Sequence, residues 1–495
     1  MKRKTVLSGL FWTFAERCGA QLVGVVVTII LARLLDPNAY GTVAMITVFI
    51  GILSVFIDSG LGNALIQKKD ADDLDFSSVF YLNVIIGLLL FILLFFFAPI
   101  ISTFYRNDEL IPMIRVLGLT FIISSIKNVQ SAYVSKSMLF KRFFFATLGG
   151  TIGAAIIGIV MAYCGLGAWA LIAQSLFNNT VDTIILWITV KWRPKRIFSF
   201  VRLKGLFSFG WKILISSLID TVYNNLRSLI IGKVYSSADL GVYKKGESWP
   251  TLIVTNINSS INSVLFPTLS AVQDEKQILK NMTRRAIKTS TYLMAPLMMG
   301  LAFTGEPLVR LLLTEKWLPI VPFQAIFCIT YMFYPLHTAN LNAIKALGRS
   351  DIFLKLEIIK KIVGLVALAV TVPISVMAMG YSLLFTSLAS QIINSWPNKK
   401  LLNYGYLEQL KDILPGILLA VAMGCCIYPI QWIGLPDIVT LCIQLPLGAA
   451  IYIAGSKLFK LESFEYLWRM VKPILARIKN GKSTIAENTN DSADN

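Results

Sequence analysis

Apolar stretches of roughly 20 or more residues recur from one end of this 495-residue chain to the other, each long enough to cross about 30 Å of hydrocarbon as a helix. That recurrence fixes the class, because in hydrocarbon every backbone N–H and C=O must be satisfied internally, which leaves helices or closed barrels. A barrel needs segments of about ten residues alternating apolar and polar. Runs such as LNVIIGLLLFILLFFFAPI (82–100) do not alternate. The chain therefore reads as an all-α polytopic membrane protein. Apolar cores set against charged, Pro or Gly breaks give about fourteen spans, near 9–34, 41–66, 78–104, 111–135, 143–164, 167–190, 206–232, 241–270, 286–312, 320–344, 352–377, 379–398, 410–430 and 433–456. The seventh and eighth are the most polar.

A net charge of +19 raises the question of nucleic acid, and the placement of the charge decides it. With the N-terminus in the cytoplasm, about 32 of the 46 Lys and Arg fall in cytoplasmic segments, about 8 outside and about 6 within spans. The opposite orientation would put Lys191, Arg193, Lys195, Arg196, Arg202 and Lys204 outside. Both termini are thus expected in the cytoplasm, with the basic excess serving topology and attraction to anionic lipid, and with no nucleic-acid partner. The six cysteines lie in or beside apolar spans without metal-type spacing, so neither a disulfide framework nor a metal is expected. The start MKRK resembles a signal peptide, but the apolar run behind it is too long and holds Glu16 and Arg17, so it is expected to remain as the first helix. Residues 457–479 mix aromatic and aliphatic side chains with Lys and Arg, as a helix lying on the cytoplasmic leaflet would, and the polar end NGKSTIAENTNDSADN reads as disordered. No P-loop, HExxH, CxxC or GxSxG motif is present. Neither an enzyme nor a cofactor is expected.

One motif occurs twice. In ILARLLDPNAYG (30–41) Arg33 precedes Gly41 by eight positions, and in IGKVYSSADLG Lys233 precedes Gly241 by the same interval. An aromatic group opens each preceding run, Phe11-Trp12 in one copy and Phe209-Gly210-Trp211 in the other, and Ala98-Pro99 is echoed by Ala295-Pro296. The copies lie an even number of spans apart, so they enter the membrane in the same orientation: a parallel repeat, whose substrate site lies between the halves near the midplane. The organisation this predicts is a six-helix lobe over 1–200, a second over 201–405, an extra helix pair over 406–457, and a cytoplasmic interfacial helix and tail over 458–495. Arg33 and Lys233 are expected to cap helix carbonyls or meet headgroups, with Gly41 and Gly241 opening the next helix after a tight turn.

Polar stripes inside the spans carry the functional signal, since a charged group at the bilayer centre costs at least about 2.5 to 3.5 kcal/mol and normally faces protein or water. Thr13, Arg17, Gln21, Gly24 and Thr28 share one helical face, as do Ser216, Asp220, Tyr223 or Asn224, and Arg227. The eighth span adds Thr255, Ser259, Asn262 and Ser263. The fourth adds Ser124, Lys127, Asn128 and Ser131, and the second holds Asp58. Converged, these faces line a wet, cationic cavity. The substrate-binding candidates are Arg17, Gln21, Lys127, Asn224 and Arg227, with Asp58 and Asp220 for ion coupling or charge balance. Structural alternatives stand beside them: Arg17 snorkelling or pairing with Glu16, Arg227 neutralised by Asp220, Lys127 at the interface, Asp58 bonding helix ends. His337 reads as a hydrogen-bonded packing residue before a proton site, and Pro296, Pro335 and Pro373 kink or break their spans.

The ordered series ILARLLDPNAYG (30–41), IDSGLGNALIQKKD (57–70), LIIGKVYSSADLGVY (229–243), VLFPTLSAVQDE (264–275) and IKALGRSDIFLKLE (344–357) resembles the polysaccharide flippase family of the multidrug/oligosaccharidyl-lipid/polysaccharide exporter superfamily, in its capsule, O-antigen and teichuronic acid branch. The resemblance covers essentially the whole chain. It implies fourteen helices in two lobes. It also implies alternating-access transport of undecaprenyl-pyrophosphate-linked oligosaccharide from the inner to the outer leaflet of a bacterial cytoplasmic membrane, for surface polysaccharide biosynthesis. The partners implied are the lipid-linked oligosaccharide, membrane lipids, and a polysaccharide polymerase with its chain-length machinery. Arg offers forked donors that match pyrophosphate oxygens, which suits the cationic residues above. Where relatives often carry an acidic residue before LIIG, this chain reads NNLRS. A cation-coupled multidrug exporter of the same superfamily is the alternative and would favour acidic residues; a glycan polymerase or ligase would need a large outside loop with catalytic Arg or His.

Overall fold

The computed structural model describes residues 3–58, 61–68, 70–137, 139, 141–470 and 472–473, with the side chains of 3–18, 58, 63, 208 and 209 outside the description. Its helices run, in order, α1 (Arg3–Leu34), α2 (Pro37–Asp58), α3 (Leu61–Gln67), α4 (Asp73–Tyr105), α5 (Leu110–Lys136), α6 (Lys141–Tyr163), α7 (Ala168–Thr189), α8 (Phe200–Val234), α9 (Ser237–Ser270) and α10 (Lys276–Phe303). They continue with α11 (Gly305–Leu313), α12 (Ile320–Met332), α13 (Tyr334–Ala346), α14 (Ser350–Thr371), α15 (Val376–Leu401), α16 (Tyr406–Ile427) and α17 (Asp437–Leu458). Among the described residues there is no strand. The expected spans fall on these helices, with 41–66, 286–312 and 320–344 each broken into two. Among the described residues, eight helical stretches are long and apolar enough to cross a membrane, or up to ten if each of two bent pairs is one span. This is a multi-pass helical membrane protein.

Two compact units divide the chain: Met1–Lys244 with Leu312–Lys316, and Lys245–Leu311 with Trp317–Asn495. In the first, α4 lies along α5, α6 along α7, α1 on α6, and α8 on α2, α3 and α4. A polar collar at the expected inner end orients α4. Asp72 and Asp75 form a reciprocal capping box, the Asp75 N–H donating to Asp72 Oδ1 at 3.0 Å and the Asp72 N–H to Asp75 Oδ2 at 3.2 Å, so that carboxylates meet the orphan donors and positive dipole of the helix start. Lys68 reaches the fully buried Asp75 at 2.5 Å, and Lys195 reaches Asp73 at 2.6 Å. The Trp192 indole N–H donates to Asp73 Oδ1 at 3.1 Å.

At the opposite end of this unit the repeated motif meets itself. A Cβ placed on Gly41 would fall 1.6 Å from the carbonyl oxygen of Ser237, and one placed on Gly241 would fall 2.0 Å from that of Pro37. Each glycine therefore faces the carbonyl four residues before its counterpart, and α2 and α9 cross with backbone on backbone. The basic residues cap as expected: Arg33 Nε donates to the Leu312 carbonyl at 2.9 Å, and Lys233 Nζ donates to that of Phe104. Lys316 adds a bond to the Arg33 carbonyl at 2.9 Å. The glycines play another part than the expected one. The helices begin at Pro37 and Ser237, a full turn before each glycine, so close approach, not a turn, excludes a side chain there.

The second unit is built around α10, which packs on α12, α13 and α16 through Met294, Ala295 and Met298, all fully buried. The last helix is fastened to it by Tyr452, whose hydroxyl donates to the Tyr292 carbonyl at 2.9 Å, while the Tyr292 hydroxyl donates to Ser456 Oγ at 2.8 Å. Toward its start, Lys280, Arg284 and Lys288 lie one turn apart on α10 and face Glu408 and Asp412 of α16, with Arg284–Asp412 at 2.6 Å and Lys280–Glu408 at 3.3 Å. Residues 462–470 form a further helix, packed on this unit by Phe464 and Leu467, with Trp468 and Met470 exposed. It covers part of the interfacial helix expected over 457–479; the expected disordered tail lies outside the described residues.

The crossing yields the first prediction. Gly41→Ala and Gly241→Ala should each destabilise the purified protein by about 1 to 3 kcal/mol, the usual penalty of forced overpacking. Gly51→Ala, where a Cβ meets nothing within 4 Å, should leave the melting temperature unchanged.

Candidate functional site

In a membrane-spanning helix, a polar side chain that is neither buried nor paired needs water or a polar ligand beside it. Helices α8 and α9 each carry a row of exposed polar side chains. On α8, Lys212, Ser216, Asp220 and Asn224 follow one another at intervals of four and are exposed, while Arg227, at the next turn, is half-buried. The structure thus brings Asp220, Asn224 and Arg227 onto one side of α8, as the sequence spacing predicts.

On α9 the exposed polar residues from Thr255 to Ser263 are Thr255, Asn256, Ser259, Ser260, Asn262 and Ser263. Their hydroxyls donate back to the helix, Thr255 to the Thr251 carbonyl at 2.8 Å, Ser260 to that of Asn256 at 2.9 Å and Ser263 to that of Ser260 at 2.9 Å. Such bonding satisfies the donor and leaves oxygen lone pairs outward. The flank of α9 is held by a two-rung ladder to α13: Thr338 donates to Asn258 at 2.6 Å and Asn342 to Asn262 at 2.7 Å. Behind it, buried Asn340 binds Gln409 at 2.7 Å and accepts from Asn398 at 2.6 Å, tying α13, α16 and α15 together. Thr255, Ser259, Asn262 and Ser263 are all exposed, as expected, and Asn262 is in addition a rung of the ladder.

The other candidates sit elsewhere. Lys127 of α5 pairs with Asp182 of α7 at 2.6 Å, the two side chains being 27% and 15% exposed, and neighbouring Asn128 accepts from Asn83 at 3.3 Å. Gln21 is half-buried on α1, while the side chains of Arg17 and Asp58 lie outside the described residues. His337 takes the packing role expected of it, with Nδ1 3.0 Å from the Asn394 amide and its ring edge-on to Tyr334. The sequence reading missed Asp182, which stands in the apolar stretch VDTIILW at a depth comparable to Lys127. An opposite charge two spans along was the available signal. It also missed Glu247, half-buried on α9 and accepting from the Tyr331 hydroxyl at 3.0 Å.

The helical fold is that of solved membrane transporters. The chain superposes on the lipid II flippase MurJ in an inward closed conformation with a TM-score of 0.72 at 15% identity, covering 91% of this chain and 98% of that one. It superposes on an inward-facing multidrug resistance MATE family transporter with a TM-score of 0.61 at 16% identity, covering 77% and 94%. The family model described as polysaccharide biosynthesis protein matches residues 30–322, and the chain belongs to that family. Among its relatives are the teichuronic acid biosynthesis protein TuaB of Bacillus subtilis, 26% identical over 91% of this chain and 95% of that protein, and the lipopolysaccharide biosynthesis protein WzxC of Escherichia coli, 23% identical over 74% and 75%.

The Lys127–Asp182 pair gives a second prediction. Lys127→Met leaves a mostly buried carboxylate without its cation and should destabilise the protein by on the order of 2 kcal/mol or more. The double variant Lys127→Met/Asp182→Leu should recover most of that loss in thermal unfolding.

Proposed function

We propose that this protein is a flippase that carries an undecaprenyl-pyrophosphate-linked oligosaccharide from the cytoplasmic to the outer leaflet of a bacterial cytoplasmic membrane. The observation that carries the reading is the exposed face of α9 between Thr255 and Ser263, where Thr, Asn and Ser side chains present oxygens and amides, and no carboxylate. Such a surface exchanges hydrogen bonds with water and with sugar hydroxyls at little net cost. A cationic drug would call for carboxylates there, which weighs against the exporter alternative. Family membership and the names of the relatives, which concern teichuronic acid and lipopolysaccharide biosynthesis, point the same way.

In this reading Arg17 and Arg227 hold the pyrophosphate through forked donors, Gln21 and Asn224 bond the adjoining polar groups, and Asp58 and Asp220 balance charge or couple an ion. Lys127 brings a cation already countered by Asp182, which leaves the arginines as the principal phosphate ligands. Both termini lie in the cytoplasm, the two repeats alternate access by rocking, and the delivered glycan passes to a polymerase and its chain-length machinery.

Arg227→Ala protein that inserts and accumulates normally should export glycan about 10- to 100-fold more slowly, the loss of one charge-assisted hydrogen bond or two. Lipid-linked oligosaccharide should build up on the inner leaflet, with Arg227→Lys intermediate. Normal export by both Arg227→Ala and Arg17→Ala would sink the assignment of these cations to the substrate.

A further inference from the structure

Two clefts open side by side in the second unit, where α10 begins. One, of about 450 Å³, is mainly apolar, walled by Ile261, Val264 and Leu265 of α9 and by Ile278, Met282 and Ala286 of α10. The other, of about 250 Å³, is polar and holds Lys288, Glu462, Ser463 and Arg469. Arg285, Thr289 and Tyr466 line both, so they form one amphipathic groove with Arg285 at the junction.

The charges around that junction are unequal in their partners. Arg284 is neutralised by Asp412 at 2.6 Å and Glu408 at 3.6 Å. Lys288 is neutralised by Asp412 at 3.8 Å and by Glu462, and Arg469 faces Glu465 at 3.9 Å. Arg285 is different: its guanidinium lies over the Tyr466 ring, 4.8 Å from the centroid, and among the described residues no carboxylate pairs with it. In the polar cleft, the three cations Arg285, Lys288 and Arg469 stand against Glu462 and Glu465, which leaves a single net positive charge. A cation held on an aromatic face keeps its outward N–H groups for an anion.

We propose that this groove binds a monoanionic phosphodiester lipid, with its phosphate on Arg285 and an acyl chain along the α9–α10 wall. A free phosphate leaves the apolar cleft without an occupant. A pyrophosphate brings more negative charge than the one uncompensated cation answers, and sets the excess against Glu462 and Glu465. Basic pockets beside apolar helix surfaces are the usual seats of anionic lipid headgroups. The occupant joins helix 462–470, through Tyr466, to α9 and α10, so the last segment of the chain docks as part of a lipid site. Glycan recognition is not involved, and the proposal stands or falls apart from the flippase reading.

The test is native mass spectrometry of the full chain, released from detergent and titrated with phosphatidylglycerol, phosphatidylcholine or undecaprenyl pyrophosphate. The expected result is one phosphatidylglycerol retained tightly per chain. Arg285→Gln should weaken that binding about tenfold, as loss of a charge-assisted contact does, with Arg285→Lys between the two. Ala286→Trp, which fills the apolar cleft without changing charge, should weaken it similarly, and both variants should melt like the parent in the absence of added lipid. Equal retention by Arg285→Gln, retention of phosphatidylcholine as tight as that of phosphatidylglycerol, or displacement of phosphatidylglycerol by a smaller amount of undecaprenyl pyrophosphate would each overturn the proposal.

Discussion

Hydrocarbon supplies no partner to a polar group, and this single deprivation organises the protein. Every donor and acceptor that the sequence carries into the membrane must be answered from within the fold, by water or by a ligand. Most are answered from within. Lys127 faces Asp182, Asn340 is shared by Gln409 and Asn398, and the hydroxyls of α9 turn back to their own backbone. Exposed polar side chains also line one side of α8 and one side of α9, and the proposed function rests on those faces.

The same constraint separates what the sequence discloses from what it conceals. Runs of twenty apolar residues have few other fates, so the helical class and the positions of the helices were legible, as were the caps made by Arg33 and Lys233, because a basic residue at a helix end has nearby carbonyls to reach. The polar face of α8 could be read because its members lie on one helix, four residues apart. Pairings across helices could not. Lys127 and Asp182 are 55 positions apart and Asn342 and Asn262 are 80 apart, and no local pattern marks which partner each finds. Asn262 shows both sides of this: its exposure follows its spacing on α9, whereas its bond from Asn342 of α13 could not be read locally.

In the second unit one helix gathers most of the fastenings. α10 engages α16 through charge at its start, α17 through tyrosine hydroxyls at mid-length and α12 and α13 through buried methionine and alanine. The segments that follow α15 in the chain are therefore joined to the unit at more than one depth. Arg285, on the same helix but turned away from the carboxylates of α16, is left with only an aromatic ring, which is the asymmetry behind the lipid site.

A contact between two backbones is the least forgiving that a fold can hold. Gly41 and Gly241 are bound to each other in this way, because each lies in space that the other's helix also needs, and a larger residue at either position has nowhere to go. Where α2 and α9 cross, two backbones leave no room for anything heavier than hydrogen.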